Sequence, residues 1–315
     1  MATLICPEHP SPVADAEALR KAFQGWGTNE KAIVSILGHR NAVQTKLIRK
    51  TYEDMYAEDL VKRLESELSG DFEKAIYRLV LDPEDRNAVL LNVAIKQKPI
   101  PDYRVIIEYS TIYNPDELLA VKRAYQTRYK HSLEEDIAEH TTGDLRKLLV
   151  ALASPYKYFG DDINVKLAKV EADILHDKVK DKALNDEEIM RIISTRSNAQ
   201  IVATLNNYKD NNGVAITKAF KDDLENSYLA ALLSAIRSIN NPQKYYEKVL
   251  RNALSKPGTD EDALTRVIVT RAEKDLKNIK DLYYKRNSAT LDHVVGKETS
   301  SHYKALLLAL LGKED

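Results

Sequence analysis

The chain has 315 residues, of which 43% are hydrophobic, so it is long enough to bury one large core or several small ones. Its 47 basic and 48 acidic residues nearly cancel, which excludes the overall basic excess that is typical of nucleic-acid-binding proteins. The single cysteine, Cys6, excludes an intrachain disulfide and fits a reducing compartment. Because no apolar run reaches about 18 residues and the N-terminus has no secretory pattern, we expect a soluble, cytoplasmic protein.

The sequence consists of a short tail followed by one pattern written four times. Residues 1–13 contain three prolines and no apolar periodicity, so we expect an extended tail. A tyrosine recurs at an equivalent position of each copy, at intervals of 73, 83 and 75 residues (125 − 52, 208 − 125 and 283 − 208). These tyrosines are Tyr52, Tyr125, Tyr208 and Tyr283. The agreement indicates a repeat architecture. The predicted repeats are residues 14–84, 85–160, 161–244 and 245–315.

Apolar residues recur at helical spacing in every copy. In the first copy there are five successive apolar stripes, and the first of them contains Leu19 and Ala22. The stripes predict five short helices per repeat, roughly twenty in all, with no strand-like alternation of useful length. Thr28, Asn41 and Asp71 each precede an apolar run, which predicts that they cap helices. The predicted fold class is all-α.

Two loops are each followed by an acid at the same distance. The first reads Gly-Trp-Gly-Thr at residues 25–28, and the second reads Lys-Pro-Gly-Thr at residues 256–259. Glu67 and Glu298 stand 39 positions after the respective threonines (67 − 28 and 298 − 259). Calcium mixes carbonyl oxygens with a carboxylate among its ligands, and glycine lets a loop turn several carbonyls toward one point. The pairing therefore predicts a duplicated calcium site.

Each of these sites is incomplete on its own. About three carbonyls and one carboxylate leave coordination positions open and neutralise only part of the charge of the ion. A phosphate oxygen from an anionic lipid headgroup would meet both deficits. We therefore expect weak calcium binding in solution and tighter binding at an anionic membrane, with lipid and calcium raising each other's affinity by the same factor.

The four repeats, the Gly-x-Gly-Thr loop and the acid 39 positions later resemble the annexin family. The Gly-Trp-Gly-Thr form and the stretch Gly-His-Arg-Asn at residues 38–41 resemble the plant branch of that family. The resemblance covers the whole chain after the tail. It implies a curved disc of four five-helix repeats that binds anionic phospholipid, such as phosphatidylserine, reversibly through calcium. It also implies a cytoplasmic protein that is peripheral at the inner face of the plasma membrane or at endomembranes when calcium rises.

The resemblance also implies the ligands of both sites. For the first site they are the carbonyl oxygens of Phe23, Gly25 and Gly27 and the carboxylate of Glu67. For the fourth-repeat site they are the carbonyl oxygens of Leu254, Lys256 and Gly258 and the carboxylate of Glu298. Lys256 stands where the family loop has its first glycine, and a left-handed backbone costs more for a side chain. We therefore expect the first site to be the more complete one.

The second and third repeats depart from this pattern. The second repeat has Lys-Pro-Ile-Pro at residues 98–101 and His140 at the acid position. The third repeat has Lys-Ala-Leu-Asn at residues 182–185, although Asp222 and Asp223 stand near its acid position. Neither loop contains glycine. We expect no calcium site of this type in either repeat.

The only tryptophan, Trp26, lies between the two glycines of the first loop. Its ring either folds back on the core or is exposed and inserts into the lipid interface, where tryptophan is favoured. The second interpretation makes Trp26 a membrane contact.

Other functions remain as alternatives. A helical-repeat scaffold could bind proteins without calcium. An enzyme, either a peroxidase or a nucleotide hydrolase, is a second alternative. Resemblance to plant annexins implies a disputed peroxidase activity for the region of His39. Ser110 and Ser238 stand where some plant members have cysteines proposed for redox chemistry. An Ile-Met-Arg-Ile run at residues 189–192 resembles an actin-binding tripeptide of the family, which makes actin a secondary partner, although helix core explains the run as well. No nucleic-acid partner and no catalytic residue are expected.

Overall fold

Every regular element of this computed structural model is helical within the residues that it describes. The structure describes residues 1–25, 27–220, 225–255 and 258–313. These residues contain nineteen α-helices and one short 3₁₀-helix, and they contain no β-strand. The predicted all-α class is confirmed.

The helices follow the four repeats in chain order. The first repeat contains α1 (Pro12–Ala22), α2 (Glu30–Leu37), α3 (Ala42–Tyr56), α4 (Leu60–Glu67) and α5 (Gly70–Val80). The second contains α6 (Pro83–Ile95), α7 (Tyr103–Thr111), α8 (Pro115–Tyr129), α9 (Leu133–His140) and α10 (Gly143–Leu152). The third contains α11 (Val165–Lys180), α12 (Glu187–Thr195), α13 (Asn198–Asn212), the 3₁₀-helix (Ile216–Lys218) and α14 (Ser227–Asn240). The fourth contains α15 (Pro242–Ser255), α16 (Glu261–Arg271), α17 (Leu276–Asn287), α18 (Leu291–Glu298) and α19 (Ser301–Leu310).

Helix capping agrees with the sequence at one position and differs at two. Asn41 caps α3 and forms a reciprocal capping box with Gln44, as predicted. The cap of α2 is Asn29, whose side chain accepts from the backbone N–H of Ala32, so the prediction for Thr28 is wrong by one residue. The prediction for Asp71 is also wrong, because α5 begins at Gly70 and Asp71 lies in its first turn.

The four repeated tyrosines are all buried. The hydroxyls of two of them donate a hydrogen bond to a carboxylate. Tyr52 donates to Glu58 at 3.0 Å, and Tyr125 donates to Asp136 at 2.5 Å. Burial raises the pKa of Tyr52 and of Tyr125. The periodicity therefore marks a core position that is repeated in each copy, with its hydroxyl paired in at least these two.

The N-terminal tail has no helix or strand over residues 1–11 and is hydrogen-bonded to the last repeat. The backbone N–H of Thr3 donates to the carbonyl of Ala272 at 2.8 Å, and its hydroxyl donates to the carbonyl of Leu310 at 2.6 Å. The tail ends at Ser11, which caps α1, so the first helix begins two residues before the predicted limit at residue 14.

The chain forms two compact units. Unit 1 consists of Met1–Arg86 and Gln243–Asp315, and unit 2 consists of Asn87–Pro242. Within unit 1, α5 packs against α16 and α19, and Arg78 on α5 donates to Asp262 on α16 at 2.6 Å. The first and fourth repeats therefore share one unit, and both predicted calcium loops belong to it. Among the described residues, no helix has the length and apolar character that crossing a lipid bilayer requires.

Candidate calcium site

The loop of the first repeat contains two glycines with backbone dihedral angles that other residues rarely adopt. Gly25 has φ +107° and Gly27 has φ +95°, and the space around both is open. Glycine is therefore needed here for its dihedral angles and not for lack of room. The backbone N–H of Asn29 donates to the carbonyl of Ala22 at 2.9 Å and closes the loop. Trp26, the predicted membrane contact, lies outside the described residues.

The structure brings this loop and Glu67 together. The hydroxyl of Thr28 donates to Oε2 of Glu67 at 2.5 Å. The carbonyl oxygen of Phe23, a predicted ligand, lies 3.5 Å from Nη2 of Arg63, and the same Nη2 lies 2.6 Å from Oε1 of Glu67. Arg63 therefore joins two of the predicted calcium ligands.

Arg63 was not predicted from the sequence as part of this site. The available signal was its position four residues before Glu67 on α4, a spacing at which side chains meet on a helix. Its contact with the carbonyl of Phe23, 40 positions away, could not be read from local spacing.

The fourth-repeat loop closes in the same way. The backbone N–H of Asp260 donates to the carbonyl of Ala253 at 2.9 Å, and Gly258 has φ +84°. Among the described residues, the hydroxyl of Thr259 donates to the main-chain oxygen of Glu298 at 3.4 Å.

Of the other predicted ligands of this site, Leu254 is buried near the end of α15, and Lys256 lies outside the described residues. The Glu298 side chain is 35% exposed, against 21% for Glu67, and its ion-pair contact is with Lys297 at 3.8 Å. The fourth-repeat acid is therefore less firmly held.

Both acids line one cleft in unit 1. The cleft has a volume of about 380 Å³ and receives equivalent residues from the first and fourth repeats. Further carboxylates at its wall are Glu30, Asp71 and Glu261. Within the described part of the chain, no group of three or more His, Cys, Asp and Glu side chains could hold a metal ion. A calcium site here would therefore draw most of its ligands from main-chain oxygens.

The donor set of the first loop fits calcium. Calcium is a hard cation that takes oxygen ligands in flexible geometry, and a loop that is open around Gly25 and Gly27 can supply carbonyl oxygens. The Thr28 hydroxyl holds the carboxylate of Glu67 beside that loop. The same carboxylate also accepts from the guanidinium of Arg63, at 2.6 Å.

The acid position of the second repeat carries an imidazole that is folded onto its own helix. Nδ1 of His140 lies 2.8 Å from the carbonyl oxygen of Asp136 on α9. In the third repeat, Asp222 and Asp223 lie outside the described residues.

Residues of the alternative functions have structural contacts. Nδ1 of His39 lies 3.2 Å from the carbonyl oxygen of Ile5, so the ring touches the N-terminal tail. Ser110 and Ser238 are buried. On α12 three of the four residues at 189–192 are buried, and Arg191 pairs with Glu188 at 2.8 Å.

Comparison with known proteins agrees with this fold. The sequence profile described as Annexin matches residues 14–79, 87–152, 170–235 and 245–310. The chain is 64% identical to annexin-like protein RJ4 of Fragaria ananassa, over 100% of both chains. It is 50% identical to annexin D7 of Arabidopsis thaliana, over 100% of this chain and 99% of that protein.

Solved structures give the same result. A structure of annexin III superposes with a TM-score of 0.93 at 31% identity, over 100% of this chain and 98% of that one. A structure of calcium-bound annexin (Sm)1 superposes with a TM-score of 0.85 at 28% identity, over 99% of this chain and 93% of that one. The chain belongs to the annexin family, with plant annexins among its relatives. Members of this family bind phospholipid membranes peripherally in a calcium-dependent way and are mainly non-enzymatic.

Proposed function

We propose that this protein binds anionic phospholipid membranes through calcium ions held in the loops of the first and fourth repeats. The observation that carries the proposal is the hydrogen bond of 2.5 Å from Thr28 to Glu67, which ties the acid that the sequence predicts as a ligand to a glycine-rich loop. The relative whose printed title calls it calcium-bound, annexin (Sm)1, supports calcium as the ion.

The first site uses the carbonyl oxygens of Phe23, Gly25 and Gly27 and the carboxylate of Glu67. When bound, calcium supplies open coordination positions and residual positive charge, which a phosphate oxygen of an anionic headgroup can complete. The open space around the Cβ positions of Gly25 and Gly27 supports this assignment, because it leaves room beside the loop for an ion and a headgroup.

The fourth-repeat site uses the equivalent positions. Its ligands are the carbonyl oxygens of Leu254, Lys256 and Gly258 and the carboxylate of Glu298. Support for this assignment comes from the matching backbone bonds that close the two loops, each 2.9 Å long. The side chain of Glu298 is also more exposed than that of Glu67, which keeps it available to a ligand.

Co-sedimentation with vesicles tests the proposal. Wild type, Glu67→Gln, Glu298→Gln and the double variant are titrated with calcium in the presence of phosphatidylserine vesicles and of phosphatidylcholine vesicles. We expect calcium-dependent pelleting with the anionic vesicles, a several-fold higher calcium requirement for each single variant, and loss of pelleting for the double variant.

Glu65→Gln is the matched control, because Glu65 is an exposed acid on α4 two residues before Glu67. It removes the same charge and should pellet like wild type. Equal pelleting of the double variant and wild type at every calcium level would show that these acids are not the sites. Pelleting that is independent of calcium, or absent altogether, would favour the protein-binding scaffold instead.

A further inference from the structure

Arg63 lies between two carboxylates of the first repeat. Its Nη2 is 2.6 Å from Oε1 of Glu67, and its Nη1 is 3.6 Å from Oε1 of Glu58. The guanidinium also lies over the ring of Phe23, with 5.6 Å from Cζ to the ring centre. The position of this cation is therefore defined by contacts on three sides.

The guanidinium engages oxygens that the proposed calcium site needs. One nitrogen, Nη2, lies 2.6 Å from the carboxylate of Glu67 and 3.5 Å from the carbonyl oxygen of Phe23. The other carboxylate oxygen of Glu67 accepts from the Thr28 hydroxyl. Both oxygens of Glu67 thus already have internal donors, and one of these donors carries a positive charge.

Arg63 has a second acceptor in reach. Glu58 is held in place by Arg20, at 2.5 Å, and by the hydroxyl of Tyr52, at 3.0 Å. In the observed arrangement Nε of Arg63 is buried and has no hydrogen-bond partner among the described residues. A buried donor without a hydrogen-bond partner raises the free energy of the observed arrangement. Less free energy is therefore needed to move the guanidinium toward Glu58.

The fourth repeat provides an internal comparison. The residue four positions before Glu298 is Val294, so no guanidinium occupies the equivalent place. The ion-pair contact of Glu298 is with its neighbour Lys297, at the longer distance of 3.8 Å. Besides the differences in their loops, the two sites therefore differ at this helix position, which is cationic in the first repeat and apolar in the fourth.

We propose that Arg63 is an internal competitor that sets the calcium requirement of the first site, leaving Glu67 for Glu58 when calcium binds. This inference rests on the proposed function. A partly exposed ion pair of this kind contributes modestly, and its loss should lower the half-maximal calcium concentration about two- to five-fold. The first site, which is the more complete one in sequence, therefore has the acid that calcium reaches less easily, because Glu67 is paired with Arg63.

The test isolates the first site in a Glu298→Gln background. Arg63→Gln removes the competing charge and keeps a polar side chain of similar length. Lys62→Gln is the matched control, because Lys62 is exposed on the same helix and its loss changes the net charge equally. Two quantities are measured: the calcium needed for half-maximal pelleting with phosphatidylserine vesicles, and the affinity for Tb³⁺ alone, from luminescence sensitised by Trp26.

We expect Arg63→Gln to bind Tb³⁺ more tightly and to need about two- to five-fold less calcium than its background, with Lys62→Gln showing neither gain. The reciprocal variant, Val294→Arg in a Glu67→Gln background, should raise the calcium requirement of the fourth-repeat site. This second variant keeps the inference testable if Arg63→Gln folds poorly.

Two failures are distinguishable. If the Glu298→Gln background pellets with calcium but Arg63→Gln needs as much calcium or more, only the inference about Arg63 is overturned. If that background never pellets at any calcium level, the proposed first site is wrong and the inference falls with it.

Discussion

The hydroxyl of Thr28 donates to Oε2 of Glu67 over 2.5 Å and across 39 positions of the chain. The bond joins the loop after α1 to the last residue of α4. The Thr28 hydroxyl also lies 3.5 Å from the main-chain oxygen of Glu67, and in the fourth repeat the Thr259 hydroxyl makes this equivalent contact with Glu298 at 3.4 Å. The two loops therefore share their spacing and differ in how closely the acid side chain is tied to them.

Replacing Thr28 with valine should loosen this connection. Thr28→Val keeps the branched shape and removes the donor, so the carboxylate of Glu67 is no longer held beside the loop. We expect a free energy of unfolding lower by about 1 kcal/mol and a higher calcium requirement in vesicle pelleting. Thr28→Ser retains the hydroxyl and is the control. A Thr28→Val protein that pellets at the calcium level of wild type would mean that the loop positions Glu67 without this bond.

Two glycine substitutions should have opposite effects on stability. Gly25→Ala forces a side chain onto a backbone with φ +107° and should lower the free energy of unfolding by about 1–2 kcal/mol. Gly296→Ala lies inside α18, where an added Cβ would make an ordinary contact with Lys304 at 3.6 Å, and should raise it by about 0.5–1 kcal/mol. Urea unfolding measures both. Equal stability of Gly25→Ala and wild type would show that the loop can adopt another backbone.

Burial of a lysine predicts a pH-dependent difference in stability. Nζ of Lys157 is buried without a hydrogen-bond partner among the described residues, and burial lowers the pKa of Lys157 from 10.5 to about 8. The unfolded chain therefore binds the proton more tightly, and the full cost of the buried charge is present below pH 8. That cost fades as the pH rises from about 8 toward 10.5.

Lys157→Met removes this charge. We expect the variant to exceed wild type in the free energy of unfolding by about 1–3 kcal/mol at pH 7, with the difference shrinking by pH 10. Urea titrations at the two pH values measure it, and Lys147→Met, at an exposed lysine of α10, serves as the control. A difference that stays constant with pH would assign the effect to packing.

Trp26 offers a direct test of membrane insertion. As the only tryptophan, it reports on the first loop without interference. We expect its emission to shift to the blue when calcium and phosphatidylserine vesicles are both present, because an inserted indole leaves water. Calcium with phosphatidylcholine vesicles is the control. Unchanged emission in samples that do pellet would leave the ring outside the lipid.

Much of the fold could be predicted because helical periodicity and repetition are local properties. The buried tyrosines and the cap at Asn41 follow directly from spacing. The errors at Thr28 and Asp71 are of one and two residues, because Asn29 stands at the cap position of α2 and Ser69 at that of α5. Thr28 lies one residue before the cap of α2, and its hydroxyl donates to Glu67.

The sequence predicted which loop and acid of the first site meet, but it did not predict the ion pairs around them. Equal spacing of two acids from two loops predicted that each loop and acid would meet, and the structure brings Thr28 and Glu67 together. The part taken by Arg63 depends on a carbonyl 40 positions away and on Glu58, which belongs to a separate contact with Tyr52. Such contacts arise only when helices pack, so no local pattern contains them.

The division of the chain into its two units bears on the order in which the protein can fold during synthesis. Unit 2 is continuous and has all of its residues once Pro242 has been made, whereas unit 1 combines Met1–Arg86 with Gln243–Asp315. The first 86 residues leave the ribosome first, but unit 1 cannot be completed until Gln243–Asp315 has been synthesised. Tail contacts such as that of Thr3 with Leu310 can form only when translation is nearly complete. Unit 2, in the middle of the sequence, can therefore complete its fold before unit 1, which contains the N-terminal residues.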